Sequence, residues 1–534
     1  MRSNWYTRRI VNVQLKVLPN QDVELWQGDQ KVKTFETTQD PGLGLKLLLK
    51  VDSLKDKEGR AIYENYKSGS HFLWGLHQEE MLHAYCRAFV AYRSVLVYLE
   101  ENQLRVVSCS DTTASGLSTL ISLWLPHLKS NSLKKIFGRY LRDLVWLLIC
   151  LSAVISGRLR RVKVGLFSYD QIWQGHTFDR RLKDIYALLE RKKIGFLEIF
   201  PGFAVLSLKH FLKRKRLALY YPAVLNEKCL HIEYDFSGWS ALEAKFVKKL
   251  VRLFEEKIDR DQKIVQSLKR FLKSSGLRKI YSIDDAWDTT PLVVAAAECE
   301  IELIGIQHGY LDRYHQGWLQ EGLPQEFALG FPELWVWGES TKKVLSDKSH
   351  AYRDDQLIVS GYSRVLSQKR RAQLKAQGEN FTVLYPYEFL AEFKQVAQYI
   401  EAFLQKGYRV WFKARWDDPL EEQIACLPRD KIEIHYDLTQ EQLDEVDVCV
   451  GSSTSFLHEM YFLGIPIWYL ETNANYQEGM VEQGFATRVT LSEVSSKDFD
   501  PAIRLQQPQN AERIYAPSRL NELFADDATG DAIA

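Results

Sequence analysis

Five consecutive residues, Gly451, Ser452, Ser453, Thr454 and Ser455, carry the most legible chemistry in the chain. They interrupt the stretch VDVCVGSSTSFLHEMYFLGIPIWYL, between an apolar run at Val446–Val450 and a helical segment. Gly464 and Pro466 end that segment and aim a second apolar run, Ile465–Leu470. A glycine and four hydroxyls at a strand-to-helix turn leave backbone N–H groups beside a helix N-terminus, where an anionic group is favoured. Glu459 follows one turn later, within reach of a sugar's hydroxyls. The same hydroxyls also suit the plain task of capping the helix of a βαβ unit.

Parallel sheets bind ligands outside the carboxyl ends of their strands, so residues that follow apolar runs matter most. Gln307, His308 and Gly309 follow Leu303–Ile306. An imidazole with a pKa near ~6.5 suits proton abstraction from a hydroxyl, and Gly309 permits close approach of a substrate. A turn histidine bonded to a carbonyl would have the same sequence. Asp284 and Asp285, with Asp288 nearby, follow Lys279–Ile283 and suit a base, a nucleophile, a partner for His308 or a helix cap. Lys413 and Arg415, with Asp417 and Asp418, follow Tyr408–Phe412. Two cations there suit a diphosphate or nucleoside phosphate, or are simply solvated in a loop. Gly361, Ser363 and Arg364 are further cleft candidates, as are Gly175, His176 and Asp179. No HExxH, Walker A or GxSxG motif occurs and the histidines lack metal-ligand spacing, so neither a metal nor another cofactor is expected.

These groups need a frame. From Val162 the apolar runs VKVGLF, IGFLEIF, KIYSI, IELIGI, LWVW and LIV alternate with helical stretches, the longest at Ala241–Ser274. A charged segment, SQKRRAQLKAQGEN, precedes a second such cycle. Strands separated by helices predict right-handed βαβ crossovers and mainly parallel sheets. The expected fold is α/β, with two Rossmann-like domains at 162–370 and 371–510, an N-terminal extension at 1–161 and a tail at 511–534 that ends in a disordered ADDATGDAIA. Within the extension, Val23–Trp26, Leu45–Val51 and Arg105–Cys109 read as strands and His77–Glu100 as a helix.

The chain has 534 residues, enough for two or three domains, and 46% apolar with 26% charged residues is the balance of a folded soluble protein. A net charge of +1 argues against a nucleic-acid partner held by bulk charge. Seven scattered cysteines without a CxxC pair read as reduced core residues. MRSNWYTRRIVNVQ has no apolar core, so no signal peptide is expected. Leu144–Ile155 is apolar but, at twelve residues, shorter than the ~17–25 that span a bilayer. Its basic flanks suit a helix lying on a membrane surface or a buried helix with a solvated collar.

Taken in order, these motifs resemble the GT-B glycosyltransferases, in which two Rossmann-like domains face a cleft. SSTSFLHEMYFLGIPIWYL is similar to their donor-binding unit, hydroxyls followed by E-x4-G-x-P, which implies that Glu459 meets the donor ribose. IGIQHG, PELWVWGESTKKVL and LIVSGYSR resemble the first-domain ending of bacterial surface-polysaccharide transferases, including CDP-glycerol glycerophosphotransferases. Where many of those relatives and bacterial sialyltransferases carry K-x-H-P, this chain has Arg415 and Trp416 in place of His and Pro, which speaks against polyol-phosphate and sialic-type donors. The resemblance implies a metal-independent cytoplasmic glycosyltransferase that moves a sugar from a nucleotide-activated donor to a cell-surface polysaccharide or lipopolysaccharide. The donor phosphates would meet Ser452–Ser455, Lys413 and Arg415, with His308, Asp284 or Asp285 as base. Its partners would be the nucleotide sugar, a saccharide or lipid-linked acceptor and the inner membrane surface. Alternatives are a polyol-phosphate or CMP-acid-sugar transferase, a sugar-nucleotide epimerase and a non-catalytic GT-B scaffold.

Overall fold

In a computed structural model the described residues are 11–18, 21–37, 40–110, 116–124, 162–167, 180–201, 217–220, 231–283, 290–362, 381–388, 393–415, 419–424, 426–506 and 508–524. Gly175, His176, Asp179, Asp284, Asp285, Asp288, Ser363, Arg364, Asp417, Asp418, the Leu144–Ile155 run and the ADDATGDAIA end lie outside them. Among the described residues no helix is long and apolar enough to cross a membrane.

The N-terminal region opens with β1 (Val11–Val17), β2 (Val23–Gln27) and β3 (Gln30–Phe35), followed by a short hairpin of β4 (Lys67–Ser68) and β5 (His71–Phe72). Together with β6 (Leu104–Ser110), the first three strands form a sheet of order β3-β2-β1-β6. Along β1, Val13, Leu15 and Val17 are buried while Asn12, Gln14 and Lys16 are exposed, the alternation of a sheet with one covered face.

The strand expected at Leu45–Val51 is instead part of a helix, Pro41–Asp52. The Asp40 carboxylate accepts from the Leu43 amide at 3.0 Å, and Pro41 opens the first turn. Buried Gly44, Leu47, Leu48 and Val51 recur at helical spacing, a period hidden within a run of leucines. The helix expected over His77–Glu100 is broken. A π-helical turn at Met81–Cys86 and a kink at Tyr92, φ −106° and ψ 17°, separate its parts.

The second sheet contains β7 (Val164–Phe167), β8 (Phe196–Pro201), β9 (Leu217–Tyr220), β10 (Lys279–Ile283), β11 (Glu302–Ile306), β12 (Glu333–Val336) and β13 (Leu357–Val359). Its order is β13-β12-β11-β10-β7-β8-β9, with parallel pairings. The third contains β14 (Thr382–Pro386), β15 (Arg409–Lys413), β16 (Glu433–His435), β17 (Val448–Gly451), β18 (Ile467–Leu470) and β19 (Thr487–Val489). Its order, β16-β15-β14-β17-β18-β19, is also parallel and reverses direction between β14 and β17. That is the doubly wound Rossmann order, and the second sheet reverses in the same way between β7 and β10. Every residue of β17 and β18 is buried, as covered parallel strands require. Two such sheets in one chain make the GT-B architecture.

The N-terminal extension does not have a core of its own. A 35-residue helix, Ala241–Ser275, buries Phe246, Leu250, Phe254, Ile258 and Leu268 in a cluster that also holds Val13, Leu15, Ile280 and Leu303. One apolar interior therefore joins the first two sheets, across the boundary expected near 161.

After the third sheet the chain returns to the second. The Tyr362 amide donates to the Ala516 carbonyl, Ala516 to Trp337 and Arg519 to Ser360, at 2.9, 2.9 and 2.7 Å. Phe524 stacks on Tyr281 of β10 with ring centroids 4.9 Å apart. The expected tail thus packs on the first domain as far as 524. Gly361, read as a cleft candidate, has a different task. Its φ is +79°, and a Cβ there would collide with the Pro517 carbonyl, so it lets the returning chain lie against β13. Gly361→Ala is expected to cost about 2 kcal/mol or more. The thermal midpoint should fall and protease should cut faster within 508–524; an unchanged midpoint and digestion pattern would refute this role.

Candidate functional site

The reversal point of the third sheet lies between the exits of β14 and β17, and there the anion-ready turn already holds an anion. Glu388, two residues beyond β14, is 1% exposed. Its Oε1 accepts from the backbone amides of Ser452, Ser453 and Thr454 at 2.7, 2.7 and 3.0 Å, and its Oε2 from the Ser452 hydroxyl at 3.1 Å. Burial pushes the Glu388 carboxyl above its usual range, while these four bonds pull against the rise. Gly451 is required beside it, since a Cβ would sit 2.6 Å from the Glu388 oxygen.

The expected role of Ser452, Ser453 and Thr454 as phosphate donors is therefore corrected for their amides, which serve an internal carboxylate. The Thr454 hydroxyl accepts from the Phe456 amide at 3.2 Å, a turn bond one residue ahead of the helix N-cap at Ser455. The Ser453 hydroxyl is buried without a hydrogen bond among the described residues, and Ser455 is exposed and makes no cap bond. Sequence reasoning missed Glu388. The only signal was an acid just past the FTVLYPY strand, 64 residues before the turn that it fills.

Lys413 ends β15, and its ammonium lies 5.1 Å from the centre of the Phe456 ring, in the helix that follows the turn. Arg415 is exposed just beyond, its backbone held at both N–H and C=O by the buried Gln423 side chain at 2.8 and 2.9 Å. Glu459 is half-buried on the Phe456–Phe462 helix.

The first domain contributes the loop after β11. His308 is half-buried at the carboxyl end of that strand, and a Cβ on Gly309 would meet open space. Gln307 does not line a cleft. It is buried, its Oε1 accepts from the Trp337 amide at 2.6 Å and its Nε2 donates to the Gly309 carbonyl at 2.8 Å, so it clamps the β11 and β12 exits together. Next in the loop, Tyr310 stacks on His458 of the second domain at 3.2 Å between ring centroids. Burial drives the His458 imidazole down to about 3, only partly opposed by the Ser455 carbonyl, so the ring is neutral and acts as a packing surface. Ser340 bridges the same boundary by donating to Gln483.

A second missed group fixes the loop from the other side. Glu79, in the N-terminal region, accepts from the Gly317 amide at 2.9 Å, with His83 Nε2 at 3.0 Å and His315 Nδ1 at 3.8 Å. Arg87 donates to His83 Nδ1 at 2.9 Å, which leaves the Nε2–H of His83 facing Glu79. Burial alone would raise the Glu79 carboxyl, but His315 and His83 hold it down at about 2. Among the described residues no group of three or more His, Cys, Asp and Glu side chains could hold a metal ion.

No family model and no curated protein matches the chain. Among solved structures it is similar to the UDP-GlcNAc 2-epimerase from Methanocaldococcus jannaschii, at 11% identity over 69% of this chain and 100% of that one, with a TM-score of 0.39. The calicheamicin glycosyltransferase CalG4 is 12% identical over 70% and 100%, with a TM-score of 0.42. MurG from Acinetobacter baumannii is 12% identical over 68% and 90%, with a TM-score of 0.36. The fold assignment rests on the strand order itself.

Removing the Glu388 carboxylate should empty the seat it fills. Inorganic phosphate is expected to raise the thermal midpoint of Glu388→Ala by several degrees more than that of the wild type, because three amides would be left without an acceptor. Equal phosphate responses would argue against the seat. Glu79 gives a pH test. Its folded value of about 2 lies below its ordinary 4.5, so its stabilisation is present above 4.5 and lost as pH falls towards 2. Glu79→Gln should flatten the acid limb of a stability-against-pH curve.

Proposed function

We propose that the chain is a GT-B glycosyltransferase that moves a sugar from a nucleotide-activated donor to a saccharide of cell-surface polysaccharide or lipopolysaccharide type. One observation supports this reading above the rest. Strand exits from the two Rossmann-like domains meet at a packed boundary, where Tyr310, two residues after His308, stacks on His458 in the helix that follows the serine-rich turn. Open α/β sheets bind ligands at such exits, and two facing exits can hold donor and acceptor side by side.

The donor diphosphate would lie outside Glu388, on Lys413, Arg415 and the hydroxyls of Ser453 and Ser455, with the ribose at Glu459. Cations of the chain then meet the phosphate charge, so the reading invokes no metal. His308 would take the proton from the acceptor hydroxyl as the bond to the anomeric carbon forms and the nucleoside diphosphate leaves. The packed boundary would keep water from competing for the donor. A surface acceptor of this kind would be met in the cytoplasm, at the inner membrane face.

The experiment is a thermal-shift panel of UDP, GDP, CDP and CMP with their sugar conjugates. One base family is expected to raise the midpoint, and Lys413→Ala should abolish the rise. His308→Ala should keep nucleotide binding and lower transfer by about a hundredfold or more. Binding of none of these nucleotides would sink the proposal.

A further inference from the structure

A cavity of about 420 Å³ opens where three distant parts of the chain meet: the N-terminal helix Pro41–Asp52, the loop after β11 and the loop after β18. It is separate from the Glu388 seat, yet the exits of β11 and β18, one from each Rossmann-like domain, both border it. Its volume suits one or two sugar rings, since small-molecule sites run from ~300 Å³ upward.

The lining is of mixed character. Leu45 and Leu49 offer an apolar floor of the kind that the C–H face of a sugar ring covers. Across from them, Tyr314 donates its hydroxyl to Asn475, and both side chains belong to the wall. Thr472 is only 8% exposed, and its hydroxyl is buried with no hydrogen-bond partner among the described residues. A hydroxyl left in that state costs free energy unless something entering the cavity bonds to it. At the rim, Lys46 is exposed, while the carboxylate of Asp40, also in the lining, accepts from the Leu43 amide.

We propose that this cavity seats a short saccharide of one or two rings, with a ring hydroxyl bonded to Thr472 and an acidic substituent turned to Lys46. Only its assignment as the acceptor seat rests on the glycosyltransferase reading. The N-terminal extension thereby gains a task, because its helix supplies the apolar floor and the cation.

Saturation-transfer NMR on the full chain, with glucose, galacturonic acid and glucose 6-phosphate as probes, tests this directly. The two acidic sugars should give stronger transfer than glucose. Thr472→Val, which keeps the shape and removes the hydroxyl, should weaken binding of all three by about fivefold. Lys46→Ala should remove the preference for acid, while Lys343→Ala, at an exposed position of the Glu339–Lys348 helix outside the lining, should change nothing. Nucleotide-induced midpoint shifts should be the same in all variants. Nucleotide binding without any sugar signal would overturn this seat and leave the transferase reading standing, as would sugar signals indifferent to both substitutions. Sugar signals that follow the substitutions, with no nucleotide bound, would support the seat and remove its assignment to an acceptor.

Discussion

A carboxylate taken out of water must recover the hydration it loses, or it costs several kcal/mol. Glu388 recovers it from three amides and a hydroxyl at one turn. That exchange ties the exit of β14 to the exit of β17 at the point where the sheet order reverses. It sets the shape of the turn and requires glycine at 451. It also decides which groups still face outward: Lys413 beside Phe456 and the exposed Ser455. A turn that looks built to receive a phosphate is, at its inner edge, already complete.

The loop from Gln307 to Gln320 depends on a similar economy. It carries His308, and it is held from three directions by different physics. Gln307 clamps it to its own sheet through amide hydrogen bonds, Tyr310 packs it on the second domain through ring stacking, and Glu79 fixes it to the N-terminal region through a charge-assisted bond. Each hold comes from residues well separated in the chain. A histidine supported this way is positioned by all three structural regions together.

The two Rossmann-like domains were legible because parallel strands buried on both faces leave short apolar runs that alternate with amphipathic helical stretches. Ile467–Leu470 fell inside the run that suggested it, and Val448–Gly451 overran its run only by the glycine read as the start of the turn. Leu45–Val51 was misread because a run of leucines conceals its period, and only the Asp40–Pro41 pair upstream marks a helix start. Gln307 and Gly361 sit after strands, as ligand-binding residues do, but their partners Trp337 and Pro517 lie 30 and 156 residues further on. Glu388 and Glu79 went unnoticed for the same reason. A buried acid looks like any surface glutamate until the fold supplies its donors.

The chain leaves the first Rossmann-like domain after Tyr362 and comes back to it after the third sheet. Tyr362, where it leaves, bridges Pro517, where it has returned. With the bonds from Ala516 and Arg519 and the stacking of Phe524 on Tyr281, this bridge closes the first domain with a segment that follows the second. The first domain is therefore complete only once the chain has been built past both.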